Sequence, residues 1–175
     1  ESVLSEYIPM FINAQNELEF EQVAVKMIGD IQDTHANLWG GNDAIQDWKG
    51  KNYPPIHVRF IEEQLVIVDF YNEEHRESLG LRIGDVITSI NGEEVTNIVR
   101  ERLPYYPASN YPTKLRDISG DILRSNEGSL QLTLNRKKEE LSNDMSLYDR
   151  TELNIYNWYR RDPNGKSFKL LNEDI

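Results

Sequence analysis

Three histidines, His35, His57 and His75, are the side chains of this sequence whose ordinary pKa lets them exchange a proton near neutral pH. His35 stands in the most suggestive setting, because Asp33, Thr34 and His35 place a carboxylate, a hydroxyl and an imidazole in consecutive positions. An imidazole there can accept a proton from a nucleophile and return it to a leaving group. It can equally close the C-terminal end of a helix, where ring N–H groups satisfy free carbonyls. Asp30 and Asp33 either support the ring or are polar helix-end residues. His57 alternates with apolar residues and is expected to face solvent. His75 lies in the charged run Glu73-Glu74-His75-Arg76-Glu77, expected to be a solvated loop.

No cysteine occurs, which excludes disulfides, thiolate metal sites and a cysteine nucleophile. Ser89, Ser109 and Ser119 carry hydroxyls, but none stands in a Gly-x-Ser-x-Gly elbow, so the chain alone is expected to be catalytically incomplete. The scattered histidines lack the short ligand spacing of zinc sites, and neither metal nor cofactor is expected. A net charge of −11 repels phosphate backbones and anionic lipid surfaces, which disfavours nucleic acid as a partner. No apolar run approaches the ~18 residues of a membrane span. The chain starts at Glu1 without Met, so a processed or excised piece is expected and a lost targeting segment is compatible with it.

The elements that must position these groups follow from periodicity. Val3, Leu4, Tyr7, Ile8, Phe11 and Ile12 recur at helical spacing, with Pro9 expected to kink or break that helix. A second helix carries Phe20, Val23, Ala24, Met27, Ile28 and Ile31 on one face, with Asn16 as its N-cap and Glu17, Glu19 and Glu21 in its first turn. Gly40-Gly41 marks a turn or a hairpin tip, and Asn42 to Pro55 reads as a linker or an irregular connection. From Ile56 the period becomes two. Residues Ile56 to Phe60 and Leu65 to Phe70 read as strands joined by a tight turn at Glu62-Glu63. A third strand runs from Val86 to Ile90, and Asn91-Gly92 is a hairpin signal. A helix is expected over Thr113 to Arg124, and a last strand around Leu130, Leu132 and Leu134. The insertion Leu103 to Pro112 carries Tyr105, Tyr106 and Tyr111, and either binds a partner or folds back on its own domain. Further on, Leu153 to Tyr159 form an apolar stretch, Asp162-Pro163-Asn164-Gly165 a turn, and Phe168, Leu170 and Leu171 the start of another strand.

The run Ser78 to Val95, with Gly80-Leu81, Gly84-Asp85, Ile90-Asn91-Gly92 and Val95, resembles the most recognisable stretch of bacterial PDZ domains. That resemblance implies an α+β fold, a partly open β-barrel with flanking helices over residues 53–140. It implies a peptide groove between the first strand and the Thr113 helix. Ile56, His57, Val58, Arg59 and Phe60 would form one wall, and Leu115, Ile118 and Ile122 the other. PDZ domains add a peptide strand to a sheet edge and hold its terminal carboxylate on backbone amides. Here Tyr53-Pro54-Pro55 removes two N–H donors from the place an anion would need them. A groove for an internal segment, or for docking another domain, is at least as well supported.

Ahead of it, Met27 to Ala36 followed by Gly40-Gly41 resembles the small helical domain that precedes the PDZ domain in tricorn-like, tail-processing serine peptidases. The resemblance implies that residues 1–50 form a helical domain carrying His35 as general base, with Thr34 where a serine is usual. It implies that residues 141–175 are a linker or lead-in to a catalytic core that holds the serine and lies outside this chain. Partners would be protein or peptide substrate and that core, and the location bacterial, periplasmic or cell-surface. The alternative is a non-catalytic PDZ peptide-binding or scaffold module.

Overall fold

The structure is a computed structural model that describes residues 2–38, 40 and 42–155. Helix α1 spans Ser2–Asn13 and runs unbroken through Pro9, contrary to the expected kink. Pro9 faces solvent, where water can replace the hydrogen bond a proline removes. Helix α2 spans Glu17–Gly29, and Asn16 caps it by accepting the Glu19 N–H at 2.9 Å. Its buried stripe is Glu21, Val25 and Gly29, offset from the predicted face, while Phe20 and Ile31 are exposed. Close approach explains the offset: a Cβ on Gly29 would stand 2.6 Å from the Pro104 carbonyl oxygen. Tyr7 is buried and donates to the Asp30 carboxylate; burial first, then Asp30, push the phenol up to about 12.

The expected linker contains helix α3, Asp43–Lys49. Its cap comes from another element. Glu21 of α2 accepts the Ile45 N–H at 2.7 Å, satisfying a first-turn donor that no local side chain reaches. Nothing in residues 42–55 themselves announces that partner.

The described residues that follow fold around one six-stranded antiparallel sheet. Its strands are β1 Ile56–Ile61, β2 Gln64–Phe70, β3 Val86–Ile90, β4 Glu93–Glu94, β5 Ser129–Arg136 and β6 Glu139–Ser146. The order is β1-β2-β3-β5-β6, with β4 paired to β3. Three two-residue turns join neighbours: Glu62-Glu63, Asn91-Gly92 and Lys137-Lys138. All six residues have φ between 50° and 82°, the left-handed pairing whose twist matches right-twisted strands. Helices α4 Glu73–Ser78, α5 Val95–Arg102 and α6 Tyr111–Ser119 flank the sheet. The fold is thus α+β with a partly open, barrel-like sheet.

Two expectations for the later elements are corrected. Residues 141–146, expected in a linker or a lead-in to a catalytic core, form most of β6, which pairs with β5 from Ser129↔Ser146 to Arg136↔Glu139. The polar Asn143 takes the inward position between Leu141 and Met145, where it donates to the Leu79 carbonyl at 2.8 Å and breaks the apolar pattern. The Thr113 helix ends at Ser119, not Arg124; the chain turns at Gly120 and carries Asp121 inward. Core residues include Ile56, Val58, Ile67, Ile87, Leu132 and Leu134 of the sheet beneath Leu115, Ile118, Ile122 and Leu123. The turn at Gly84 (φ 91°) is locked by Arg136, which reaches Asp85 at 2.6 and 2.7 Å and the Gly80 carbonyl at 2.8 Å. Chain entry and exit are tied as well: Tyr53 and Tyr148 exchange backbone hydrogen bonds of 2.9 and 3.0 Å. The expected turn at Asp162-Pro163-Asn164-Gly165, the strand near Phe168, Leu170 and Leu171, and Gly41 of the glycine pair lie outside the described residues.

Candidate functional site

Among the described residues strand β1 pairs with β2 and stands at one end of the sheet. Alternation along β1 sends Ile56 and Val58 into the core and leaves His57 and Arg59 on the other side. There they meet the residues at the C-terminal end of α6 across a cavity of about 450 Å³. The cavity is also lined by Thr34, Asn37 and Leu38 of the loop after α2, and by Lys49 of α3. One concave surface therefore joins the sheet edge, α6 and the segment that carries His35.

Its floor is a buried polar cluster. Asp121 is 8% exposed. It pairs with Lys49 at 2.8 Å and with Arg102 at 3.1 Å, and it accepts the Tyr106 hydroxyl. Arg102 also donates to the Asp121 carbonyl at 3.0 Å, and the Lys49 ammonium lies 4.9 Å from the Tyr106 ring centre. Burial first, then the Asp121 charge, push the Tyr106 phenol well above its usual range. Tyr105 packs edge-on against Trp48 at 5.4 Å. The tyrosine insertion thus folds back to join α3 to α5, and only Tyr111 of the three is exposed. Sequence reading missed this cluster. Its one trace is a charge at position 121, in line with Ile118 and beside Ile122 on an apolar run.

The predicted groove residues separate into two groups. Leu115, Ile118 and Ile122, with Ile56 and Val58, are core residues no more than 5% exposed, and Phe60 packs against that core. His57 and Arg59 line the cavity, and the opposing wall is Arg116, Asp117, Ser119 and Gly120. His57 therefore does not face open solvent as expected. Burial, then the Arg59 charge, hold its pKa below the ordinary histidine value, against the pull of Asp69. His75 is also corrected: it is buried in α4, tilted against the Tyr148 ring at 4.7 Å. Tyr148 is 73 positions away in sequence (148 less 75), which the local charge run could not reveal.

His35 projects outward, with its side chain 97% exposed. Its backbone N–H donates to Asp33 Oδ1 at 2.9 Å, and its Nδ1 lies 3.3 Å from the same oxygen. These two contacts hold the Asp33 carboxyl below its usual pKa. Nδ1 facing the carboxylate leaves Nε2 as the nitrogen directed away. Pro54 and Pro55 are buried, and the Pro55 carbonyl accepts the Tyr71 N–H at 3.0 Å, so the loop before β1 presents no row of free amides. Among the described residues no cluster of His, Asp and Glu could hold a metal ion, and no helix is long and apolar enough to cross a membrane.

No family model and no curated protein matches the sequence. Solved structures do. The fold is similar to that of CPAF. A structure of mature CPAF complexed with lactacystin aligns at 16% identity and a TM-score of 0.56, over 93% of this chain and 32% of that one. A serine-to-alanine mutant of CPAF aligns at 14% identity and the same TM-score, over 85% of this chain and 28% of CPAF. The chain spans about a third of the CPAF chains it matches. At such identity the likeness is one of fold, and with 93% of this chain aligned it takes in both the helical segment and the sheet.

Proposed function

We propose that this chain is the helical and PDZ-like portion of a serine endopeptidase, in which the β1–α6 groove recognises or gates protein substrate. The observation that carries it is the shared cavity. The edge strand β1, the end of α6 and the loop that carries His35 all line or border one concavity. CPAF, whose fold is similar, is a serine protease. A substrate strand laid along β1 would pass beside that loop. His35 then acts as general base for a serine supplied by a catalytic core of the tricorn-like kind, with Asp33 holding Nδ1 and leaving Nε2 for the nucleophile. Thr34 supplies a hydroxyl on the groove side. The buried prolines before β1 favour an internal substrate segment over a terminal carboxylate.

A second reading, a non-catalytic peptide-binding module, is favoured by Ser119. Its hydroxyl lines the same cavity as His57 but donates to the Arg116 carbonyl at 2.6 Å, not to an imidazole. Casein hydrolysis by a longer protein carrying this chain, with and without His35→Ala, separates the two. Loss of turnover with retained substrate binding supports the enzyme. Undiminished turnover in His35→Ala removes His35 from the mechanism, and a folded but inactive wild type leaves the binding module.

A further inference from the structure

We propose that the outer face of α1, joined to Phe20 of α2, docks a basic amphipathic helix of a partner protein. This surface belongs to the helical segment and does not depend on the groove assignment above. Apolar residues left singly in solvent are ordinary, whereas a contiguous set marks an interaction surface. Ten large apolar side chains are exposed among the described residues, and five of them, Val3, Leu4, Ile8, Ile12 and Phe20, lie in the first two helices. Leu4, Ile8 and Ile12 stand four positions apart, so they line one face of α1 as a ridge about 12 Å long. Tyr7 and Phe11, on the adjoining face, turn toward α2. Tyr7 is buried and donates to Asp30, and Phe11 packs on the Phe20 ring at 4.9 Å. Phe20 thereby extends the ridge across to α2. Leu4, Ile8, Ile12 and Phe20 are each 50–76% exposed.

Charge decides the occupant. Residues 1–25 carry five glutamates, at positions 1, 6, 17, 19 and 21, and no lysine or arginine. Glu21 is buried and engaged by the Ile45 N–H, but Glu6, Glu17 and Glu19 are exposed. Glu17 lies one turn before Phe20 on the same side of α2. The first cation of the chain, Lys26, lines a cavity with Met10. Met10 is two positions from both Ile8 and Ile12, which puts it on the opposite side of α1 from the ridge. The ridge therefore sits in a negative field, within a chain of net charge −11. A second copy would bring acid against acid, and an anionic lipid surface would be repelled. A helix with an aliphatic stripe flanked by Lys or Arg suits both properties, its stripe on the ridge and its cations toward the glutamates. Rows of residues four apart are the ridges that most often interlock between two helices.

The test uses this chain and two labelled helical peptides of roughly 18 residues, each with the same leucine stripe and with either Lys or Glu on its flanks. Fluorescence anisotropy is expected to show the Lys peptide binding about tenfold more tightly than the Glu peptide, with the gap shrinking between about 50 and 300 mM NaCl as screening sets in. Ile8→Ser combined with Ile12→Ser weakens the Lys peptide by about tenfold or more. Both residues are exposed, and a thermal melt of the variant checks its fold. Ile83→Ser changes an equally exposed apolar residue outside the helical segment and leaves binding as it was. Absence of binding, equal binding of the two peptides, or an equal loss in Ile83→Ser overturns the proposal. So does a dimer detected by light scattering in the wild type and lost in the Ile8→Ser, Ile12→Ser variant, which would assign the ridge to a second copy.

Discussion

Replacing Asp121 by Asn tests how the floor of the cavity is held. The substitution keeps the shape and one carbonyl oxygen, but it removes the charge that Lys49 meets at 2.8 Å and Arg102 at 3.1 Å. All three side chains are largely shielded: 10% exposed for Asp121, 18% for Lys49 and 17% for Arg102. Removing one member of a buried ion pair costs about 3–5 kcal/mol, because the remaining charge is left uncompensated. Here Lys49 borders a water-accessible cavity, so the low end applies, about 3 kcal/mol. For a chain of this size each kcal/mol lowers Tm by about 2–4 °C, which puts the loss near ~9 °C. Urea unfolding followed by circular dichroism gives the free energy directly, with an unchanged m value marking a pure stability effect. Pairing the change with Lys49→Met gives a double-mutant cycle, expected to return a coupling of about 1–2 kcal/mol. An Asp121→Asn loss below about 1 kcal/mol, with no coupling to Lys49, would refute the view that this cluster bears load at all.

Three other outcomes are expected. Burial alone would raise the Asp85 pKa, but the Arg136 hydrogen bonds, the Arg82 amide and both arginine charges overcome it and hold it below 3.8. Its contribution is therefore complete above that unfolded value and is lost as pH falls through the lower folded one. Denaturant titrations of wild type and Asp85→Asn should differ at pH 7, and the gap should begin to close only below pH 3.8, as pH falls towards the lower folded value. Glu62→Asn with Glu63→Gly fits residues suited to left-handed backbone into the β1–β2 turn, whose φ values are 50° and 63°. Tm should rise by about 3 °C, a gain of roughly 1 kcal/mol; a fall would contradict the turn geometry. Gly50→Ala should cost more than about 2 kcal/mol by urea unfolding. Its φ is 108°, and a Cβ would stand 2.3 Å from the Ser125 backbone nitrogen.

Legibility followed the range of the interactions. Asn91-Gly92 could be read as a turn because both residues tolerate the left-handed backbone they adopt, at φ 50° and 82°. The Gly84-Asp85 turn and strand β3 were legible for the same local reason. Helix α3 was hidden because Glu21, more than twenty positions earlier, supplies its cap. Strand β6 was hidden because only Leu141 and Met145 show its inward face, while Asn143 turns inward to meet Leu79. Helix α6 was drawn too long because Ile122 and Leu123 continue an apolar pattern, although they reach the core from a turn. The cavity suffered most. Its β1 wall was found, but the core-facing residues were assigned to it along with His57 and Arg59. Its floor joins residues 49, 102, 106 and 121, and no local pattern connects them.

The bridge between Tyr53 and Tyr148 sets how the sheet would respond to load. The strands enter and leave side by side, held there by two backbone hydrogen bonds between antiparallel partners. Tension applied through the flanking segments would part those bonds one after another, like a zipper, and not all at once in shear. The same adjacency makes the sheet a unit with a single doorway. A partner bound at residues 49–53 and one bound near residue 148 would share a side, and crowding at one would be felt at the other.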